Sequence, residues 1–355
     1  MKRITILLSC LITVACLFIA GCSSNSPTSP PPAPSLETVI KSNLSSDTAT
    51  LQFDQSADYA VDDGTTPKDP EFSSSIMSSN ISRFFKVASP ISPVRWGRHI
   101  FWSEVTTSIS VTKLGDTAAV AMITRTVPGE FLLVIGVRDT TNGADSVIVD
   151  STIHKPFKEQ FVRNVLFAYV SGAKDVYHAW VPEAITAEEG NTVPDSANGN
   201  TSNAFDITSL RLSYFSSIPP YYYHDKDTIT DPLSTWFRYA RGIHSGVPVL
   251  FAGDTLRFDL TIQSESDSAE LVYLRHGVDN TNLGGARVQM NLISSTGTAG
   301  NYTRVYQRTI IVHDPLLRSI ARFSAVVDVF SHDSILDNAA PFSNEFWIFP
   351  YIIIR

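Results

Sequence analysis

The chain has only three cysteines, Cys10, Cys16 and Cys22, and everything beyond position 22 is thiol-free. That absence excludes disulfides, thiol catalysis, zinc-cysteine sites, haem attachment and iron-sulfur clusters from the body, which its core alone must stabilise. Positive charge is also scarce. Lys2 and Arg3 are the only charges before Cys22, so the remainder sets 25 basic against 35 acidic residues, a net of −10. Nucleic acid and an anionic bilayer surface are therefore excluded as electrostatic partners. GxSxG, HExxH and a Gly-rich phosphate loop are missing, and no second membrane span follows the N-terminal apolar run. What remains is a composition of 43% hydrophobic and 17% charged residues over 355 positions, enough apolar material for about two domains.

The N-terminus sets Lys2 and Arg3 before an apolar stretch from Ile4 to Ala20, then Gly21 and Cys22. This order of basic, apolar and small residues reads as a signal peptide over 1–21, too short to remain as a membrane span. Ile19-Ala20-Gly21-Cys22 resembles the lipobox of bacterial lipoproteins. The resemblance implies that Cys22 is acylated and becomes the first mature residue, holding the protein at the membrane through its acyl chains. Ser23 after the cysteine resembles the outer-membrane sorting pattern of enteric bacteria. Residues 23–35, SSNSPTSPPPAPS, form a Ser/Pro tether. Partly extended, such a tether would hold a body up to roughly 40 Å from the bilayer.

Beyond the tether, residues 36–215 read as a β-rich domain with N-terminal helical segments, either α+β or barrel-like. Leu36, Val39 and Ile40 have helical spacing after a Ser35 cap, and Phe72, Ile76, Ile81, Phe84 and Phe85 could line a second helix. From about Val94 the pattern turns to strands. Ile109 and Val111 alternate with polar residues; Gly115-Asp116 turns the chain; 117–127 and 130–138 read as strands split by Pro128-Gly129. Asn142-Gly143 marks a hairpin. Residues 156–170 fit both a helical stripe and a strand face through Phe161, Arg163, Val165, Phe167 and Tyr169, and their valines and phenylalanines favour the strand. A polar loop is expected near 189–203, followed by a strand through Leu210, Leu212 and Tyr214.

After an aromatic connector at 216–243, residues 244–355 show the clearest alternation. Leu256, Phe258, Leu260 and Ile262 share one face, as do Ala286, Val288, Met290 and Leu292, and then Ala321, Phe323, Ala325, Val327 and Val329. With 246–251, 269–275, 301–312 and 345–354, seven strands are expected, each with one apolar face, as a two-sheet sandwich requires. The region resembles an immunoglobulin-like domain of the bacterial cell-surface type, without the paired cysteines of antibody domains. Phe330 to Tyr351 resembles the last hairpin of such domains, and Pro350 predicts an edge or bulge.

Chemistry-bearing patterns are weak. Eight scattered histidines show no metal-ligand spacing. Two SxxK matches, Ser110 to Lys113 and Ser171 to Lys174, lack their partner motifs, and an alternating strand would point Ser110 and Lys113 to opposite faces. Asp225 to Asp231 begins like a calcium loop, but Ile229 cannot supply a side-chain oxygen and no glycine makes the sharp turn. Carboxylates for glycoside hydrolysis could pair among Asp58, Asp62, Asp63, Glu183, Glu188 and Glu189, a matter of spacing that sequence does not fix.

The connector holds the most suggestive group. Tyr221, Tyr222 and Tyr223 follow Pro219-Pro220 and precede Trp236 and Phe237. They fit an aromatic platform for a glycan or protein partner, or rings wedged between two domains, the commoner use. The reading is a mainly β, lipid-anchored envelope protein that binds or assembles an envelope protein or surface polymer, with no cofactor and no catalytic residue. The alternatives are a carboxylate-based, carbohydrate-active hydrolase and a carrier of an apolar ligand.

Overall fold

A computed structural model describes residues 33–46, 93–139, 146–195, 203–215, 223–238, 247–278, 286–312 and 320–354. The expected signal peptide, most of the tether and the second helix fall outside these residues. The first element is helix α1, Leu36–Ser46. Ser35 starts it as the sequence predicts: its Oγ accepts from the Thr38 amide at 3.2 Å, supplying one of the partners that the first helical turn lacks. Val39, Ile40 and Leu44 form its buried stripe.

Nearly everything else is strand. β1 (Pro93–Ile100) and β2 (Thr106–Lys113) precede the long β3 (Ala118–Asp139) and β4 (Ser146–Tyr169). β5 (Trp180–Thr186), β6 (Glu188–Thr192), β7 (Phe205–Phe215), β8 (Tyr223–Ile229) and β9 (Trp236–Arg238) follow. β10 (Val249–Phe251), β11 (Thr255–Ser264), β12 (Leu271–Val278), β13 (Ala286–Gln289) and β14 (Asn291–Thr298) come next. β15 (Asn301–Ile311) and β16 (Ile320–Phe330) lead through helix α2 (His332–Leu336) to β17 (Asn344–Ile354). The strand reading of 156–170 holds, and so does a mainly β fold.

Two sheets result, antiparallel throughout except where the short β10 runs parallel to β17. The larger has twelve strands in the order β1-β3-β4-β6-β17-β16-β12-β13, with β2 on β3, β5 on β4 and β9, and β10 on β17. The smaller runs β14-β15-β11-β7-β8. The division into a 36–215 domain and a separate 244–355 sandwich is not how the strands pair. β6 lies between β4 and β17, and β7 pairs along its length with β11, so both expected domains contribute to both sheets. The expected strand through Ala286 and Leu292 is two strands: β13 pairs with β12 in one sheet and β14 with β15 in the other. Met290 is the buried crossing point between them.

Three more expectations are corrected. The polar stretch beginning at 189 is not all loop, because Glu188–Thr192 is an internal strand. Pro128-Gly129 does not split β3, which pairs with β4 from Ala118 opposite Ala168 to Asp139 opposite Ser146. Pro350 does not mark an edge, since β17 has β16 on one side and β6 and β10 on the other.

The core has two compartments. Between the sheets, Leu210, Leu256, Phe258, Leu260 and Ile262 meet Val327, Trp347, Phe349 and Tyr351, with the Phe258 and Phe349 rings 5.8 Å apart. The opposite face of the large sheet is covered by the sheet itself, which curls until β1 lies over β16 and β12. Trp96 there has its ring 5.0 Å from Phe330 and 5.4 Å from Tyr273. β17 is thus buried on both faces, which is why NEFWIFPYIII reads as a nearly continuous apolar run. The curl, where an apolar ligand was one expectation, is filled by Trp96, Phe131, Phe157, Phe161, Phe342 and Phe346.

Candidate functional site

Of the residues singled out in sequence, Cys22, Asp58, Asp62, Asp63, Tyr221 and Tyr222 lie outside the described residues. The backbone of Tyr223 begins β8 and stands opposite Phe215 in the small sheet. Trp236 stands opposite Thr186 in the large sheet. The connector therefore crosses from one sheet to the other. Its bend is fixed by Asp231, whose Oδ1 accepts from the Leu233 amide at 2.9 Å and the Ser234 amide at 3.2 Å. Alternation along β9 sends Trp236 to the surface and Phe237 into the inter-sheet core. So Trp236 and Phe237 do not form one platform, and Phe237 packs in the core shared by the two sheets. Of the calcium-like segment Asp225 to Asp231, the part up to Ile229 belongs to strand β8 and Asp231 caps the turn that follows. Lys113 of the first SxxK match pairs with Asp116 at 2.9 Å.

The described histidines are dispersed. His154 meets Glu130, His178 meets Asp175 and His332 meets Asp333, each at 2.7 to 2.9 Å and each in a different part of the fold. Among the described residues, no group of three His, Cys, Asp or Glu side chains could hold a metal ion.

Two of the candidate acids are accounted for structurally. Glu188 is buried against Arg163 at 2.9 Å, and exposed Glu183 lies 4.0 Å from Arg238. Glu189 belongs to a different setting. Alternation along β6 sends it to the inter-sheet face, opposite Trp347. At that end of the sandwich it joins Asp206 from β7 and Glu345 from β17. Glu345 spans the gap between the sheets: its carboxyl oxygens accept from the Ile207 amide at 3.1 and 3.2 Å. Asn191 donates to Glu189 at 2.8 Å, and Asn203 donates to the Asn344 carbonyl at 3.1 Å.

Like charges shape this site. Burial, then the charges of Asp206 and Glu189, push the Glu345 carboxyl up to about 8, against the opposing Ile207 bond. Burial also raises Glu189, with Asp206 and Asp231 adding to the shift and Asn191 opposing it, and burial raises Asp206. At neutral pH Glu345 thus keeps its proton beside two further carboxyls, an arrangement able to donate a proton or hydrogen bond. The sequence offered one hint of Glu345, an acid directly before a long apolar run. Nothing local linked it to Glu189 or Asp206.

The deepest ionic groups hold the fold. Arg98 on β1 is buried with Glu159 and Asp328, each 3.2 Å from Nη2, and its guanidinium lies over the rings of Phe330, Phe342 and Phe346. Asn344 donates to Asp328 and to the Val329 carbonyl, completing the network. Arg304 is enclosed in the same manner by Glu270 at 2.7 Å, Ser264 at 3.0 Å and the carbonyls of Ser266 and Ser268. Among the described residues, no helix is long and apolar enough to cross a membrane.

No family model matches this chain, and neither a curated protein nor a solved structure proves similar to it.

Proposed function

We propose that this chain is a lipid-anchored protein of the bacterial cell envelope, held at the outer membrane by acyl chains on Cys22. Its β body binds or assembles an envelope protein or surface polymer without turnover. The observation that carries this reading is the N-terminal series of Lys2-Arg3, an apolar run, Ile19-Ala20-Gly21-Cys22 and a Ser/Pro tether. It is supported by how the body uses its buried charges: Arg98, Arg163 and Arg304 are each engaged by acids within the core and present nothing to a substrate. The aromatic connector, with Tyr221, Tyr222, Tyr223 and exposed Trp236, is the contact surface this reading favours.

The test is metabolic labelling of the full chain with a clickable fatty acid in a bacterial host. Label on the wild type, lost in Cys22→Ala, is the expected result. A chain that is exported unlabelled would sink the proposal.

A second reading, carboxylate-based hydrolysis of glycans, is favoured by one feature, the protonated Glu345 beside Glu189 and Asp206. It requires turnover of a polysaccharide panel by the wild type that Glu345→Gln abolishes. Absence of turnover leaves the binding role standing.

A further inference from the structure

At one end of the fold six large apolar side chains stand in solvent: Leu114, Tyr169, Val170, Val176, Tyr177 and Val181, each between 38% and 55% exposed. They are gathered by backbone bonds. Tyr169 donates its amide to the Thr117 carbonyl at 2.8 Å, bringing the end of β4 to the turn after β2. Val170 donates to the Ala179 carbonyl at 2.7 Å and closes the loop that carries Val176 and Tyr177. Few charges are interspersed there: Lys113 pairs with Asp116, Asp175 accepts from His178, and Lys174 of the same loop offsets the Asp175 charge. The surface is thus apolar and aromatic, with little net charge of its own.

The same end receives the tether. Helix α1 starts at Ser35, and its Asn43 donates to the carbonyls of Tyr177 at 2.9 Å and Trp180 at 2.8 Å, so the helix grips the exposed loop directly. From Ser35 to Asn43 is about 12 Å of helix. By length alone, 13 residues such as those between Cys22 and the helix would reach roughly 20 Å as a random coil and roughly 40 Å when extended. An acylated Cys22 would hold this loop within reach of the bilayer at all times, where even a weak contact is populated because its effective concentration is on the order of millimolar. Tyrosine and aliphatic side chains are suited to that boundary, the rings sitting at headgroup depth. Such a contact needs no basic patch, in keeping with the net charge of −10.

We propose that this end is a second, reversible membrane contact. The loop 170–179 and the turn at Leu114 rest on the lipid interface and set the body's orientation, with the aromatic connector left for a partner. This rests on the lipid-anchor reading. The acyl chains supply the attachment, and the apolar patch adds a second contact that orients the body.

The test uses the absence of any thiol beyond Cys22. Full chains carrying Val176→Cys or Asn338→Cys are expressed, purified from membranes, labelled with an environment-sensitive dye and reconstituted into phosphatidylcholine vesicles containing nitroxide lipid. Asn338 is exposed in the connection after α2, whose Phe342 ring packs 4.7 Å from Phe131. Phe131 is thirteen residues along β3 from Ala118, which places the control up to roughly 40 Å from the loop. The expected result is quenching severalfold stronger at position 176 than at 338, reduced toward the control by adding Tyr169→Ser and Tyr177→Ser. Mass spectrometry of the N-terminal peptide separates the two proposals. An acylated peptide with equally weak quenching at both positions overturns this contact, leaves the anchor intact and assigns the patch to a protein partner. A peptide without acyl groups removes the anchor and this inference with it.

Discussion

The guanidinium of Arg98 stands 3.2 Å from the carboxylate of Asp328, although β1 and β16 are five places apart in the order of the large sheet and share no ladder. A side chain therefore closes the curl that backbone pairing leaves open. Arg98 also neutralises Glu159 at 3.2 Å. Removing it leaves two buried carboxyls without their cation, a change that costs about 3 to 5 kcal/mol. Arg98→Met should lower the urea midpoint by that amount, while Arg98→Met combined with Glu159→Gln and Asp328→Asn should recover a large part of it. Equal losses in the two proteins would show that the charges are not what holds β1 in place.

Stability should fall as pH rises from about 4.5 to about 8, the reverse of common acid denaturation. Burial, opposed by Arg98 and reinforced by Asp328, raises Glu159 to about 7, and burial with Asp206 and Glu189 raises Glu345 to about 8. The unfolded chain ionises both near the ordinary glutamate value. Between that value and the folded one the native state binds more protons, so each step up in pH favours unfolding. The contribution is complete below the unfolded pKa and is lost as pH passes through 7 and then 8. Glu345→Gln keeps an acceptor for the Ile207 amide and should flatten the upper part of this slope by a few kcal/mol in denaturation curves taken from pH 4.5 to 8.

What was legible in the sequence was whatever depends on neighbours a few residues away. Ser35 caps the helix it was expected to cap, and the alternation of Leu256, Phe258, Leu260 and Ile262 is the buried row of β11. What was hidden depends on distant partners. Glu188-Glu189-Gly190-Asn191-Thr192 has the composition of a turn, and it is a strand because Arg163 neutralises Glu188 and the flanking strands β4 and β17 supply its bonds. Arg163 shares its strand face with Phe161, Val165 and Phe167, and nothing within ten positions of Arg98, Arg163 or Arg304 reveals the acids that pair with them, Glu159 and Asp328, Glu188, and Glu270. For the same reason the boundary expected near 216–243 vanished: β7 and β11 each look complete alone, and pair with each other.

Gly190 shows how tightly that internal strand is fitted. A Cβ there would fall within the ring of Phe346, which packs on Phe161 at 4.5 Å between centroids. Gly190→Ala should destabilise the protein by about 1 to 3 kcal/mol through overpacking. Adding Phe346→Leu should restore part of the loss in the double mutant, read from denaturation midpoints. No coupling between the two would mean that the glycine serves another purpose.

Pro128 tests the same principle along the backbone. Its carbonyl accepts from the Phe101 amide at 3.0 Å, so its ring nitrogen faces that same edge of β3. There β2 has ended, with Thr106 opposite Thr126, and β1 begins, with Ile100 opposite Gly129. The missing N–H thus falls in a gap between two partner strands, which is how a proline sits inside a long internal strand. Pro350 occupies a similar gap, between Ile348 opposite Glu188 and Ile352 opposite Val249. Pro128→Ala should therefore change stability by no more than about 1 kcal/mol, mostly through the unfolded chain. Thr124 presents its amide to the same edge four residues earlier, where Ser108 of β2 lies opposite. Thr124→Pro should cost about 3 kcal/mol more than Thr124→Ala in urea titrations. A comparable penalty for Pro128→Ala would mean that the proline's rigidity, rather than the gap beside it, is what the strand requires.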